Sequence, residues 1–70
     1  MPYKTDSDLP ESVRDALPKH AQDIYRQAFN NAWKNFRGAE AEREGRCHRI
    51  AWAAVKRWYH KDDGNWIANA

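Results

Sequence analysis

The chain has 70 residues, a formal net charge of +2 and 41% hydrophobic residues, which suits one small domain, residues 1–70, rather than two. Its aromatic content (four Trp, three Tyr and two Phe) argues against a disordered chain, because each ring can bury a large apolar surface. No apolar run approaches the roughly 20 residues of a membrane-spanning helix, and the N-terminus shows no signal-peptide pattern. We therefore expect a soluble protein.

The composition also bears on location and partners. A single cysteine, Cys47, cannot form an internal disulfide. Small secreted domains are usually cross-linked, so a reducing, cytoplasmic setting is favoured. Residues 19–61 carry ten bases and four acids, residues 1–18 carry two bases and four acids, and residues 62–70 carry two acids and no base. A basic middle between acidic ends predicts an acidic partner.

The N-terminal part of the chain predicts an arm followed by a short helix. Tyr3 is placed to anchor the arm on the core. Asp8 and Glu11 have the spacing of a capping box, which predicts a helix from Asp8 to about Ala16. Pro18 ends this helix, because the residue before a proline avoids the helical region.

The second helix has the clearest signal. Between residues 21 and 36, apolar residues recur at i, i+3, i+4, i+7, i+8, i+11, i+12 and i+15, a spacing that a helix gathers on one face and a strand does not. The helix is predicted from Pro18 or Lys19 to Arg37, with Gly38 as its C-terminal cap. Its apolar face comprises Ala21, Ile24, Tyr25, Ala28, Phe29, Ala32, Trp33 and Phe36.

A third helix is predicted from about Arg46 to His60. Gly45 argues against a helical interior, so residues 39–44 are interpreted as a linker or a frayed first turn, although their glutamates favour the start of a helix. The predicted apolar face of this helix comprises Cys47, Ile50, Ala51, Ala54, Val55, Trp58 and Tyr59.

The C-terminal residues predict a turn followed by a short extended segment. Residues 61–65 have turn composition, and residues 66–68 could pair with residues 2–4 as a two-stranded antiparallel ribbon that joins the termini. The predicted fold class is mainly α, a small three-helix domain with one short and two long helices, to which this ribbon can be added. The predicted core comprises Ile24, Tyr25, Phe29, Trp33, Phe36, Ile50, Val55 and Trp58.

Two runs of the sequence resemble the ChaB family, small bacterial proteins with homologues in some phages and insect viruses. They are MPYKTDSDLPESVRDALPKHAQDIYRQAFNNAW and IAWAAVKRWYHKDD, in which LPESVR, LPKHAQDIYRQAFNNAW and AWAAVK stand in the family's order. The resemblance implies a compact, mainly helical domain with a small sheet at the termini and no enzyme activity. It also implies a role in regulating a sodium or potassium/proton and calcium/proton antiporter of the cytoplasmic membrane.

The residues themselves give little support for catalysis or for a metal site. His20 and Asp23 are spaced to hydrogen-bond on one helix, but neither a nucleophile motif nor a second carboxylate pair accompanies them. Cys47, His48 and His60 diverge around their predicted helix, at about 100° per residue, so they do not converge as zinc ligands. We therefore expect no catalytic residue, no metal and no cofactor.

The feature that points to function is a basic face. On the third helix the bases fall within an arc of about 100° opposite the apolar residues, with no acid among them. Arginine grips carboxylates and phosphates alike, so this face is either an ordinary solvated exterior or a docking surface for an acidic protein, a nucleic acid or an anionic membrane. The candidate interaction surface comprises Arg46, Arg49, Trp52, Lys56 and Arg57, with Arg26 and Arg37 opposite the core side of the second helix.

Trp52 has two interpretations, which the sequence leaves open. It closes the core against the first helix or the arm, as the resemblance at AWAAVK favours, or it is an exposed anchor beside Arg49 and Lys56. Together, sequence and resemblance predict a monomeric, non-enzymatic regulatory or adaptor protein that docks on an acidic protein, such as cytoplasmic segments of a cation antiporter. The alternative is a small nucleic-acid-binding accessory protein that uses the same face.

Overall fold

A hairpin of two long helices forms the centre of the molecule in the computed structural model, which describes residues 2–69. The elements, in chain order, are a 3-10 turn (Asp6–Asp8), helices α1 (Glu11–Ala16), α2 (Lys19–Asn35) and α3 (Glu40–Trp58), and strands β1 (Tyr59–Asp62) and β2 (Asn65–Ala68). One short and two long helices with a two-stranded antiparallel sheet confirm the predicted fold class.

The core lies between α2 and α3, which pack along each other in antiparallel directions. Phe29 of α2 meets His48 of α3, and Tyr25, one turn earlier on α2, meets Trp52, one turn later on α3. The rings of α2 reach small residues of α3, while α1 and the preceding turn close one end. The buried apolar residues are Leu9, Val13, Leu17, Ala21, Tyr25, Phe29, Cys47, Ala51, Val55 and Tyr59.

Most of the predicted core residues are where the periodicity placed them. Tyr25, Phe29 and Val55 are fully buried, and Ile24 and Trp33 are partly buried against the core. Phe36 is half-buried at the end of α2.

Two predicted core residues are instead exposed, so those predictions are wrong. Trp58 keeps 60% of its surface in solvent and Ile50 keeps 45%. Trp58 is the last residue of α3, and because the backbone becomes extended at the next residue, Tyr59 is buried in its place. Ile50 lies about 100° around the helix from the buried Ala51, on a side that α2 does not cover.

Residues 39–44 are not a linker, because α3 begins at Glu40. The guanidinium of Arg43 lies 4.1 Å from the centre of the Trp33 ring, and its Nη2 donates a hydrogen bond of 2.7 Å to the Trp33 carbonyl. Acidic side chains at Glu40 and Glu42 favour the N-terminal turn of the helix. These contacts outweigh the cost of Gly45 inside the helix, about 0.5–1 kcal/mol relative to alanine.

The second helix ends at Asn35, two residues before the predicted end. Gly38 therefore lies in the loop to α3 rather than capping α2. Its φ is +150°, and a Cβ atom there would lie 3.1 Å from Cζ of Phe36. A glycine is thus required for the loop conformation and for the close approach of the Phe36 ring.

The first helix ends as predicted but begins later. The Thr5 N–H donates to Oδ2 of Asp8 at 3.2 Å, so Asp8 closes the 3-10 turn instead of capping α1. The helix begins at Glu11. The capping box predicted for Asp8 and Glu11 is therefore not formed, whereas the extended backbone of Leu17 before the proline is as expected.

The short sheet is a hairpin, not a pairing of the two termini. Tyr59 pairs with Ala68, and Asp62 pairs with Asn65 across a two-residue turn. Asp63 (φ +52°) and Gly64 (φ +83°) are both left-handed, as a two-residue turn of type I′ requires. The dipeptide Asp-Gly is a strong hairpin signal, and it is the signal that sequence reasoning missed.

The N-terminal arm is attached to α2 instead of to β2. The Tyr3 N–H donates to Oδ1 of Asn30 at 2.8 Å, and Nδ2 of Asn30 donates to the Tyr3 carbonyl at 2.7 Å. The Tyr3 ring lies 4.8 Å from the ring of Phe29, which confirms the predicted anchor. Since one side-chain amide satisfies both backbone groups, residues 2–4 have no need of a strand partner.

Replacing Phe29 by alanine tests the helix-hairpin core. Phe29 is fully buried, so Phe29→Ala should lower the free energy of unfolding by about 3–5 kcal/mol, enough to unfold a domain of this size. Circular dichroism with urea titration measures the change. Ile50→Ala is the control, because Ile50 is half-exposed and should change stability little; a well-folded Phe29→Ala variant would contradict the assignment of the core.

The two glycines that flank the start of α3 should respond in opposite directions to alanine. A Cβ atom at Gly45 meets nothing within 4 Å, so Gly45→Ala should stabilise the protein by about 0.5–1 kcal/mol. Gly38→Ala should destabilise it, because φ is +150° and Phe36 is close. Thermal unfolding of both variants measures the two signs, and the same sign for both would refute this description of α3.

Candidate functional site

The outer side of α3 carries the basic residues on which the functional prediction rests. Arg46, Arg49, Lys56 and Arg57, here called the α3 basic face, are all exposed. They fall within an arc of about 100° and span roughly 16 Å along the helix axis. The buried residues of α3 lie on the opposite side, so packing against α2 turns these cations towards solvent.

The lower end of this face is partly neutralised. Because α3 begins at Glu40, Glu42 lies within the basic arc, and its Oε1 is 3.3 Å from Nη2 of Arg46. The prediction that no acid lies in the arc is therefore wrong. Glu42, Gly45, Arg46 and Arg49 line a shallow groove at this end of the helix.

The upper end of the face keeps its charge. Within residues 2–69, Arg49, Lys56 and Arg57 form neither a salt bridge nor a hydrogen bond through the side chain. The Arg57 carbonyl accepts a hydrogen bond from Nδ2 of Asn69 at 3.1 Å, which leaves the guanidinium uninvolved. Three cations on one side of α3 thus remain available to an external anion.

Arg26 is already paired within the fold. Its Nε donates to Oδ1 of the buried Asp6 at 2.7 Å, and its Nη2 donates to Oδ1 of Asp23 at 3.1 Å. Lys19 contacts the other oxygen of Asp6. Burial alone would raise the pKa of Asp6, but the hydrogen bonds from Lys19 and Arg26 outweigh it and hold that pKa below its ordinary value. The structure therefore gives Arg26 a role in fixing the N-terminal turn on α2.

Arg37 is exposed, but it is not on a helix. Since α2 ends at Asn35, Arg37 belongs to the loop before α3, and the helical spacing that grouped it with Arg26 does not apply.

Trp52 closes the core rather than serving as an exposed anchor. Its ring is half-buried and makes an edge-to-face contact with Tyr25 at a centroid distance of 5.2 Å. On its other side the ring lies 5.6 Å from that of Trp66 in β2. Trp52 therefore packs on the core, as the first interpretation had it, but its ring partners are in α2 and the hairpin and not in the predicted α1 or arm.

One polar pair lies inside the helix interface. The Tyr25 hydroxyl is hydrogen-bonded to Nδ1 of His48, whose ring lies 4.7 Å from that of Phe29. Burial lowers the pKa of His48, with a smaller opposing effect from Glu44, whose Oε1 is 3.9 Å from Nε2. Burial also raises the pKa of the Tyr25 hydroxyl. Both groups are therefore held neutral near pH 7 and serve packing.

His20 and Cys47, which were considered for catalysis and metal binding, take part in contacts within the fold. Nδ1 of His20 is 3.0 Å from the Tyr59 hydroxyl rather than bonded to Asp23, and Cys47 is fully buried. Across residues 2–69, no group of three or more His, Cys, Asp or Glu side chains is placed to hold a metal ion. None of the helices described is long and apolar enough to cross a bilayer.

Comparison with known proteins gives a consistent result. The ChaB family model matches residues 9–69. "Putative cation transport regulator ChaB" of Escherichia coli (strain K12) is 57% identical over 72 residues, which cover 94% of this chain and 95% of that protein. "Uncharacterized 10.9 kDa protein in LEF8-FP intergenic region" of Lymantria dispar multicapsid nuclear polyhedrosis virus is 40% identical over 60 residues, 86% of this chain and 57% of that protein.

The same fold has been solved experimentally in a relative. "NMR solution structure of the putative cation transport regulator ChaB" matches with a TM-score of 0.81 and 55% sequence identity, over 99% of this chain and 100% of that one. The likeness extends over nearly the whole chain, so it includes α3 and the hairpin as well as the N-terminal helices.

Acidification should destabilise the protein through His48. Its folded pKa lies below the ordinary value of 6.5, so the unfolded chain binds a proton at higher pH than the folded one. The stability due to neutral His48 is therefore fully present above about pH 6.5 and is lost as the pH falls towards the folded pKa. Urea titrations of the native protein and of His48→Gln at pH 7.5 and 5.5 measure this; an equal loss in both would rule out His48 as the cause.

Proposed function

Because the chain belongs to the ChaB family, we propose that it is a non-enzymatic regulator of cation transport that acts by protein–protein contact through the α3 basic face. The proposal combines the role named for its bacterial relatives with one structural observation. That observation is the set of three exposed cations, Arg49, Lys56 and Arg57, that have no ionic partner among the described residues.

The pattern of internal ion pairs supports a docking role for these three. Lys19 and Arg26 are matched with Asp6, Arg43 with Glu40, and Arg46 with Glu42. Acids of the N-terminal turn and of the first turn of α3 thus pair with neighbouring cations, while Arg49, Lys56 and Arg57 have no such partner within residues 2–69. Other exposed cations of the described residues are also unpaired, but these three share one face of a single helix. The others are Lys4, Lys34, Arg37 and Lys61. An unmatched positive surface attracts an acidic partner and speeds its association.

The partner proposed is an acidic cytoplasmic segment of a cation antiporter, of the sodium or potassium/proton or calcium/proton type. Such a partner places this protein in the cytoplasm, where it acts as a monomer on a membrane protein without entering the bilayer. Arginine and lysine would bind the carboxylates of that segment as charge-assisted hydrogen bonds, with arginine able to make two at once.

Nucleic-acid binding is the competing use of the same face. The number of available cations argues against it, since Arg26 and Arg46 are engaged by carboxylates and three phosphate contacts give only weak binding at physiological salt. If the face does bind duplex DNA, log Kd should change with log salt with a slope of about 0.9 per phosphate contact.

Charge reversal on α3 tests the proposed function. Arg49→Glu combined with Lys56→Glu should abolish capture of antiporter cytoplasmic segments by the purified protein and should abolish its effect on cation/proton exchange in membrane vesicles. Both positions are exposed, so the variant should remain folded by circular dichroism.

The matched control is Lys4→Glu combined with Lys34→Glu, which makes the same change in net charge at exposed positions away from α3. This control should retain capture. Equal loss in both double variants would show that only net charge matters, and unaltered capture by the Arg49/Lys56 variant would exclude the α3 basic face as the docking surface.

A further inference from the structure

Two large apolar side chains are exposed where α3 meets the hairpin, beside the upper end of the α3 basic face. Trp58 is 60% exposed and Ile67 is 43% exposed. The Asn69 N–H donates to the Trp58 carbonyl at 2.8 Å, so the end of β2 is joined to the last residue of α3. Ile67 of β2 is two residues before Asn69 in the chain, which brings it to the same end of the hairpin as Trp58.

The alternation of the strands places His60 and Ile67 on the outer face of the hairpin. Tyr59 points inward and is buried, so the next strand residue, His60, points outward. His60 pairs directly with Ile67. Trp58, the last residue of α3, is exposed where this outer face meets the helix.

This outer face is held in place by Asn69. Its Oδ1 lies 2.7 Å from Nδ1 of His60, and its Nδ2 donates to the Arg57 carbonyl at 3.1 Å. The end of α3 and the end of β2 are thus joined by side-chain as well as backbone hydrogen bonds. A surface fixed in this way loses little conformational entropy when it binds a partner.

The charges around the patch are asymmetric. Lys56 and Arg57 lie at the α3 end, whereas the turn end carries Asp62 and Asp63 with a single cation, Lys61, before them. About four residues of strand, or roughly 13 Å, separate Trp58 from Asp62. An acidic ligand is therefore attracted to the α3 end and repelled from the turn.

We propose that Trp58 and Ile67 are the apolar anchor of the docking surface, and that they bind a short acidic segment of a partner protein that carries an apolar side chain beside its carboxylates. The apolar side chain lies between Trp58 and Ile67, and the carboxylates lie towards Arg57 and Lys56. This inference rests on the proposed function, because it assigns the anchor of the same protein-docking surface. Exposed tryptophan beside arginine is also the composition of interface hot spots.

The same asymmetry favours a peptide over an extended anionic surface. A bilayer or a DNA duplex that meets the hairpin face would bring phosphates against Asp62 and Asp63 as well as against Arg57. A short segment can end before the turn and so avoid those carboxylates. The arrangement therefore favours a short acidic segment over a bilayer or a DNA duplex, whose negative charges extend over a longer distance.

Fluorine NMR of protein labelled with 5-fluorotryptophan gives the direct test. The chain has four tryptophans, and Trp58→Phe assigns the signal of Trp58. The probe is a synthetic peptide with a leucine beside a run of aspartates and glutamates, and its control replaces those acids with asparagine and glutamine. We expect the acidic peptide to shift the Trp58 signal and leave that of Trp33 in place, and the amide control to have no effect.

Affinity measurements on folded variants provide the second readout. Trp58→Ala should weaken binding of the acidic peptide by about tenfold or more, as for a hot-spot residue. Ile50→Ala removes another exposed apolar side chain of α3, 45% exposed against 60% for Trp58, and should change the affinity less than about twofold. No shift of the Trp58 signal at millimolar peptide, or equal effects of the two variants, would overturn the proposal.

Two further arms separate this inference from its alternatives and from the proposed function. Vesicles rich in phosphatidylglycerol and a DNA duplex are each titrated into the labelled protein in the same way. If vesicles or DNA shift the Trp58 signal and the acidic peptide does not, the assignment of a peptide ligand is overturned. If Trp58→Ala still captures antiporter segments and the double variant Arg49→Glu with Lys56→Glu does not, the anchor is rejected and the proposed function stands. A selective peptide response without antiporter capture would support the anchor and reject the proposed partner.

Discussion

The contact between the aromatic rings of α2 and the small residues of α3 is the constraint on which the rest of the structure depends. Tyr25 and Phe29 are fully buried in one cluster with Cys47 and Ala51 of α3, and small side chains at those two positions suit a helix that faces aromatic rings. In a chain this short, a core of rings against small side chains buries the most apolar surface with the fewest residues. Once that interface forms, the rotation of α3 about its axis is fixed.

Fixing the rotation of α3 also fixes the chemistry of its outer side. The cations on that side cannot turn inward without removing Val55 and Ala51 from the core. The N-terminal segment acts on the other long helix, where the buried Asp6 holds Lys19 and Arg26. Asp6, Asp23, Glu40 and Glu42 are thus paired with cations near α2 and at the start of α3, whereas Arg49, Lys56 and Arg57 on the upper half of α3 have no ionic partner among the described residues. The charge asymmetry seen along the sequence becomes an asymmetry between two sides of the molecule.

The hairpin links this core to the candidate docking surface. Trp66 packs on Trp52 and so holds the inner face of the sheet against the helices, while Tyr59 is buried at the junction. The outer face then carries His60 and Ile67, because alternate residues of a strand point to opposite sides, and Trp58 at the end of α3 is exposed beside it. Among the aromatic residues at the end of α3 and in the hairpin, Tyr59 and Trp66 therefore pack on the core and Trp58 is exposed to solvent.

Much of the fold followed from local patterns, and the failures have identifiable causes. The extent of α2 came from the apolar spacing of residues 21–36, and the end of α1 came from Pro18, because both are properties of the backbone near those residues. The start of α3 was misplaced since Gly45 weighs against a helix locally, whereas the stacking of Arg43 on Trp33 is a contact between distant residues.

The sequence by itself determined the helical class, the approximate helix bounds and the positive character of α3, because helical periodicity and composition are local. Only the tertiary structure decided which cations are left without a partner and which tryptophan is covered. The sequence predicted Arg26 as part of an interaction surface, whereas the structure pairs it with Asp6, which is twenty residues away in the chain. Trp52, whose role the sequence left open, is covered by Trp66 of the hairpin, whereas Trp58, which was predicted in the core, is exposed. Pairing and burial depend on neighbours brought together by folding, and no local pattern in the chain encodes them.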